Sequence, residues 1–123
     1  MANLAEKFKD ALQTLEKEKS LDAITGFFSD DATLERLTDE SFEGSEGVER
    51  FWQEYLDSFQ TQATTFRATH ETDDAAVLEW VSEGELPNGT PFAYKGVSVL
   101  EHDGDKVQAF RTYYDSAVFV NEA

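Results

Sequence analysis

The group best placed to do chemistry is Asp115, in the run Arg111-Thr112-Tyr113-Tyr114-Asp115-Ser116-Ala117-Val118-Phe119. A carboxylate among aromatic and apolar neighbours needs solvent or partners. If it faces a cavity, lost hydration raises its pKa toward the range useful for proton transfer. Asp115 then reads as a general acid/base, with Tyr114 or Tyr113 and Arg36 stabilising developing negative charge. The bland alternative is an ion pair with Arg111 or a strand-end contact. On strict alternation Arg111, Tyr113 and Asp115 share one strand face and Phe110, Thr112, Tyr114 and Ser116 the other. Only one set lines a cavity, unless a bulge brings both Tyr114 and Asp115 to it.

Other chemistries find less support. His70 and His102 are the only imidazoles, and neither has a second ligand at chelating spacing, so both read as surface histidines and no metal is expected. Without cysteine, thiolate sites are excluded. Ser45 opens a helix after a polar loop rather than a nucleophile elbow. No glycine-rich phosphate loop occurs, and no cofactor is expected.

The chain has 123 residues, with 26 acidic against 10 basic side chains and a formal charge of −16. That length supports one domain over residues 1–123 with room for a small cavity. The charge repels nucleic-acid phosphates and anionic headgroups, so neither nucleic acid nor membrane is an expected partner. Acidic residues are spread from Glu6 to Glu122, which fits a general solubility or high-salt role better than a binding tail. No apolar run approaches a membrane span and no secretory pattern opens the chain, so the expected location is the cytoplasm.

The elements that would position these groups follow from periodicity. Leu4, Phe8, Ala11, Leu12 and Leu15 mark an amphipathic helix with Asn3 and Glu6 as a capping pair. Ser20 caps a second helix, with Leu21, Ile24, Phe27 and Phe28 as its apolar face, ending near Ser29-Asp30-Asp31. Ala32 to Leu37 reads as a short strand, Thr38 to Gly44 as turns. Ser45 caps a third helix bearing Val48, Phe51, Trp52, Tyr55, Leu56 and Phe59 on one face. Four strands follow, about Thr64–Thr72, Ala75–Leu86, Phe92–His102 and Lys106–Val118, joined by Asp73-Asp74, Pro87-Asn88-Gly89-Thr90 and Asp103-Gly104-Asp105 turns. Asn88-Gly89-Thr90 is read as turn chemistry rather than a glycosylation site. Helices first and an antiparallel meander second predict an α+β domain.

This order resembles the nuclear transport factor 2-like superfamily, especially its SnoaL-like polyketide-cyclase branch, over roughly Asn3 to Val120. The carriers are Phe27-Phe28-Ser29-Asp30-Asp31-Ala32-Thr33, Gly44-Ser45-Glu46-Gly47-Val48, Gly96-Val97-Ser98-Val99-Leu100 and Arg111-Thr112-Tyr113-Tyr114-Asp115. The resemblance implies a cone-shaped, strongly curved antiparallel sheet covered on its concave side by three N-terminal helices. It also implies an internal pocket and a homodimer through the outer sheet face. Phe28, Trp52, Tyr55, Phe59, Trp80, Tyr94, Ser98, Phe110 and Tyr113 are the expected lining residues. Matched to the family's ketosteroid isomerases, the oxyanion-hole and base positions fall on Leu12, Ser98 and Arg36, which argues against that mechanism. Matched to limonene-type epoxide hydrolases, only Asp115 is kept, the other two positions being Ala93 and Pro91.

Two functions therefore compete. One is cofactor-free acid/base catalysis by Asp115, of cyclase, isomerase or hydrolase type, on a small apolar molecule. The other is a binding or scaffold protein without catalysis. The fold alone does not choose between them.

Overall fold

A computed structural model describes residues 4–36 and 41–116. Asn3, the end of the expected first strand at Leu37 and the expected last-strand residues Ala117 and Val118 lie outside them.

Helix α1 spans Leu4–Glu18 and buries Leu4, Phe8, Ala11, Leu12 and Leu15, as their spacing predicts. Helix α2 is a single turn, Asp22–Thr25, with no side-chain cap bond. The longer second helix expected from Ser20 to Ser29 is not formed. Instead β1 begins at Phe28 and runs to Glu35, because Phe28 pairs with Val107 of the last strand. Long-range pairing overrides the helical spacing of Phe27 and Phe28. A short strand β2, Ser41–Glu43, pairs antiparallel with β1 where turns alone were expected.

Helix α3 covers Gly44–Asp57 and buries Val48, Phe51 and Trp52. It starts two residues earlier than a Ser45 cap allows, with Glu43 in the cap position and no side-chain cap bond. Strands β3 (Thr61–Glu71), β4 (Ala75–Glu85), β5 (Pro91–Asp103) and β6 (Lys106–Tyr114) form the expected meander. At the β4–β5 turn Gly89 takes φ +88° and donates its N–H to Leu86 O at 2.8 Å, while Leu86 N–H reaches Thr90 O at 2.9 Å. An L side chain is strained at that φ, so the glycine is required there.

The six strands lie in the order β2-β1-β6-β5-β4-β3. All neighbours are antiparallel except β1 and β6, which run parallel, so the wholly antiparallel sheet expected from the resemblance has one exception. Register shifts between Phe66 and Ala68, and between Glu101 and His102, are bulges of the kind that bend a sheet. The result is an α+β fold: a curved, unclosed sheet with the helices against it.

The main core lies between helices and sheet. Phe8, Leu15, Ile24 and Trp52 from the helices meet Leu34, Leu78, Leu100, Val107 and Phe110 from the strands. Period-two alternation puts Leu78, Trp80 and Ser82 of β4 on this inner face, with Tyr94, Ser98 and Leu100 of β5 and Phe110, Thr112 and Tyr114 of β6. The same parity corrects the reading of His102. It is buried on the inner face, its Nδ1 3.0 Å from Gly104 O and its Nε2 3.8 Å from Glu71 Oε2, whereas His70 is exposed.

Candidate functional site

Four rings form a second cluster where α3 has ended: Phe59, Trp80, Phe92 and Tyr94. Beside them opens a cavity of about 300 Å³ lined by Arg36, Phe51, Tyr55, Ser58, Phe59, Trp80, Tyr94, Thr112 and Tyr114. A smaller cavity of about 40 Å³ lies deeper and shares Phe51, Tyr55, Trp80 and Thr112 as walls. Its other walls include Trp52, Phe66 and Phe110, and a polar set, Thr64, Ser82 and Ser98.

Gly96 sets the position of Trp80, its cross-strand partner. A Cβ at residue 96 would lie 2.7 Å from Trp80 Cζ2 and 2.5 Å from Tyr113 O, so only glycine lets the indole lie over β5. The ring is then fixed by a hydrogen bond from Nε1 to Ser98 Oγ at 2.9 Å, and Ser98 Oγ lies 2.9 Å from Thr112 Oγ1.

The second polar group was not expected from sequence. Glu16 of α1 is only 7% exposed. Its carboxylate accepts from Thr64 N–H at 2.9 Å, Thr64 Oγ1 at 2.5 Å and Tyr55 Oη at 2.5 Å. Thr64 Oγ1 is in turn 2.5 Å from Ser82 Oγ. Burial pushes the Glu16 carboxyl above the usual carboxylate value, and the Thr64 and Tyr55 hydrogen bonds oppose that rise without cancelling it. Burial also raises Tyr55 and Tyr94, with the Glu16 charge adding to both, so neither phenol ionises near neutrality. The sequence did hold a signal: Glu16 lies eight residues after Phe8 and four after Leu12, on the apolar face of α1.

The expected site residues divide into groups. Arg36, Tyr55, Phe59, Trp80, Tyr94 and Tyr114 line the larger cavity, and Trp52, Ser98 and Phe110 the deeper one. Phe28 is buried in the main core and lines neither. Tyr113 is 46% exposed on the outer face. Asp115 is exposed, just beyond β6, with its N–H on Lys95 O at 3.0 Å. It borders a shallow outer hollow with Arg67, Glu79, Lys95 and Tyr113, so the structure does not bring it together with Arg36 at the inner cavity. From Phe110 to Tyr114 strict alternation holds in β6, the register shift lying earlier at Val107–Ala109, and no bulge near its end turns Asp115 inward. Arg36 donates to Glu54 Oε1 at 2.5 Å and stacks its guanidinium 5.1 Å from the Phe42 ring centroid and 5.3 Å from that of Phe51. Arg111 pairs with Glu101 at 2.6 Å, and that hydrogen bond raises its pKa. Among the described residues no cluster of three His, Cys, Asp or Glu is placed to hold a metal.

No described helix is long and apolar enough to cross a membrane. Three solved structures share the fold. An NTF2-like protein from Anabaena variabilis is 18% identical with a TM-score of 0.83, covering 96% of this chain and 91% of its own. A protein with a ketosteroid isomerase-like fold from Catenulispora acidiphila, in complex with trimethylamine, is 18% identical with a TM-score of 0.80, covering 91% and 88%. TerC, co-crystallised with polyporic acid, is 13% identical with a TM-score of 0.79, covering 94% and 92%. Among curated proteins none matches. The family model described as the SnoaL-like domain matches residues 5–110, and the chain belongs to that family.

Proposed function

We propose that this protein binds a small, largely apolar organic molecule in the aromatic-walled cavity between α3 and the inner face of the sheet. The observation that carries this reading is the cavity itself, about 300 Å³ with Tyr55, Phe59, Trp80, Tyr94 and Tyr114 as walls. That volume is at the lower end of small-molecule sites. Rings dominate the walls, so apolar contact supplies the affinity and the few polar groups supply orientation. Two of the structural relatives named above were crystallised with a small organic molecule, which supports the same use of the fold here. Binding is favoured over catalysis by Asp115 because that carboxylate is exposed and borders the outer hollow.

Calorimetric titration with a bicyclic probe such as 1-indanol tests the reading. Ser58 is exposed at the rim, and Ser58→Trp places a large ring across the opening. We expect saturable 1:1 binding that the variant weakens at least about tenfold, a loss equal to ~1.4 kcal/mol. Unchanged affinity in a folded variant would place the probe elsewhere.

We also infer a homodimer through the outer sheet face, where Val77, Val81, Val97 and Val99 are half-buried around exposed Tyr113. Light scattering on the protein and on Val97→Lys is the check: a dimeric mass that falls to the monomer's in the variant supports it, and a monomeric parent protein refutes it.

A further inference from the structure

Of the hydroxyl groups around the deeper cavity, those of Tyr55, Thr64 and Ser82 form a directed set apart from the Ser98–Thr112 pair, and its direction is set by Glu16. Three donors converge on that carboxylate: Thr64 N–H on Oε1, with Thr64 Oγ1 and Tyr55 Oη on Oε2. Such convergence is what an ionised carboxylate, an acceptor only, takes up. A hydroxyl has one hydrogen to give. Thr64 gives its own to the charged oxygen rather than to a neutral hydroxyl, since charge-assisted bonds are the stronger. Ser82 Oγ, 2.5 Å from Thr64 Oγ1, must then be the donor of that pair. Its hydrogen is spent on Thr64, and what it turns to the cavity is lone pairs. The Tyr55 hydrogen is likewise spent on Glu16.

A second, independent observation concerns Trp52, which walls the same cavity. Its Nε1–H is buried with no acceptor among the described residues. The cavity therefore has an acceptor in Ser82 and, in one of its wall residues, a donor that nothing among the described residues satisfies. A group that both gives and takes a hydrogen bond fits this pattern, whereas a group that only accepts leaves Ser82 facing another acceptor. At about 40 Å³ the space holds a group of hydroxyl size.

We infer that the ligand class is a small ring compound bearing a hydroxyl group, with the ring in the larger cavity and the hydroxyl in the deeper one, donating to Ser82 Oγ, and that Glu16 is the residue selecting hydroxyl over carbonyl. This rests on the binding reading above and narrows it. Glu16 acts through Thr64 and Ser82, so it is a positioning residue.

The test uses a matched pair, 1-indanol and 1-indanone, titrated calorimetrically at pH 8 into the parent protein and two variants. Glu16→Gln keeps the shape but puts an amide nitrogen where Oε2 stood. The amide gives its hydrogens to Thr64 Oγ1 and Tyr55 Oη, Thr64 gives its own to Ser82, and Ser82 now points a hydrogen at the cavity. The parent protein should bind the alcohol about tenfold tighter than the ketone. In Glu16→Gln that ratio should fall below about threefold through tighter ketone binding, which a merely structural role for Glu16 does not produce. Ser82→Ala, which leaves every bond to Glu16 in place, should also lower the ratio, through weaker alcohol binding. Equal affinities in the parent protein, or an unchanged ratio in both variants, would overturn the inference while leaving the binding reading intact. Failure of both probes to bind the parent protein would overturn the two together.

Discussion

The two aromatic clusters of this molecule use similar residues to opposite ends. Under the helices, Phe8, Phe51, Trp52 and Phe110 pack with Leu15, Ile24, Leu78 and Leu100. Beyond the end of α3, Phe59, Trp80, Phe92 and Tyr94 pack mainly with one another, with ring centroids 4.8 Å apart for Phe59 and Phe92 and 5.3 Å apart for Trp80 and Tyr94. The aliphatic side chains conform to the space between rings and leave only the cavity of about 40 Å³. Rigid rings packed with no buried aliphatic side chain among them, tilted at 35° for Phe59 and Phe92 and edge to face for Trp80 and Tyr94, do not, and the larger cavity opens beside them. The first region keeps about 40 Å³ of open space and the second about 300 Å³, and the second lies beyond the end of α3 at Asp57.

Truncation should separate the two regions most sharply. Trp52 is 2% exposed in the main core cluster, and Trp52→Ala should cost about 3–5 kcal/mol, the usual range for deleting a buried large ring. Phe59→Ala, at the wall of the larger cavity, should cost less than about 3 kcal/mol. Denaturant titration of both variants checks this; equal losses would mean the mouth is packed as tightly as the core.

Adding atoms should sharpen the comparison next. Gly96→Ala forces Trp80 or the Tyr113 carbonyl to shift, and overpacking of this kind costs about 1–3 kcal/mol. Because Trp80 walls both cavities, probe affinity should fall with stability. Retained affinity would mean that the indole position does not shape the site.

Glu16 joins the two regions, and its raised pKa has a signed consequence. A carboxyl with a folded-state pKa above its unfolded one favours the folded state while protonated, and that advantage is lost as pH rises through the raised value. Glu16→Gln stays neutral, so its stability relative to the parent protein should grow as pH climbs upward from 4.5, the ordinary value. Denaturant midpoints of the two proteins across that range provide the measurement, and parallel curves would contradict the desolvation account.

The smallest effect concerns both regions equally. With a formal charge of −16, self-repulsion should make melting temperature rise between low and high NaCl. A flat response would assign the acidic surface no role in stability.

Much of the architecture was legible because periodicity is strong where one face is buried. Leu4 to Leu15 and Val48 to Trp52 announce helices α1 and α3, and the turn chemistry of Pro87-Asn88-Gly89-Thr90 marks the β4–β5 hairpin. Phe27 and Phe28 misled because their spacing from Ile24 suits a helix, while the pairing of Phe28 with Val107, 79 positions away, has no local signature. At the site, strand alternation separated Thr112 and Tyr114 from Tyr113 correctly. It could not tell which set faces inward, and the structure leaves Asp115 exposed while it buries Glu16. A lone glutamate on a helix usually faces water; only the meeting of Tyr55, Thr64 and Glu16 from three elements reveals the buried one.

The central claim is that the open aromatic region is a binding site, and the sequence supplies its own reporters, since the chain has two tryptophans. Titrating 1-indanol into the 15N-labelled protein and following the two indole N–H signals is the most direct measurement. The account predicts a saturable shift of the Trp80 signal at the shared wall of the two cavities, with the outer-face amides of Val97 and Tyr113 unmoved. Shifts confined to the outer face, or none at saturating probe, would contradict it.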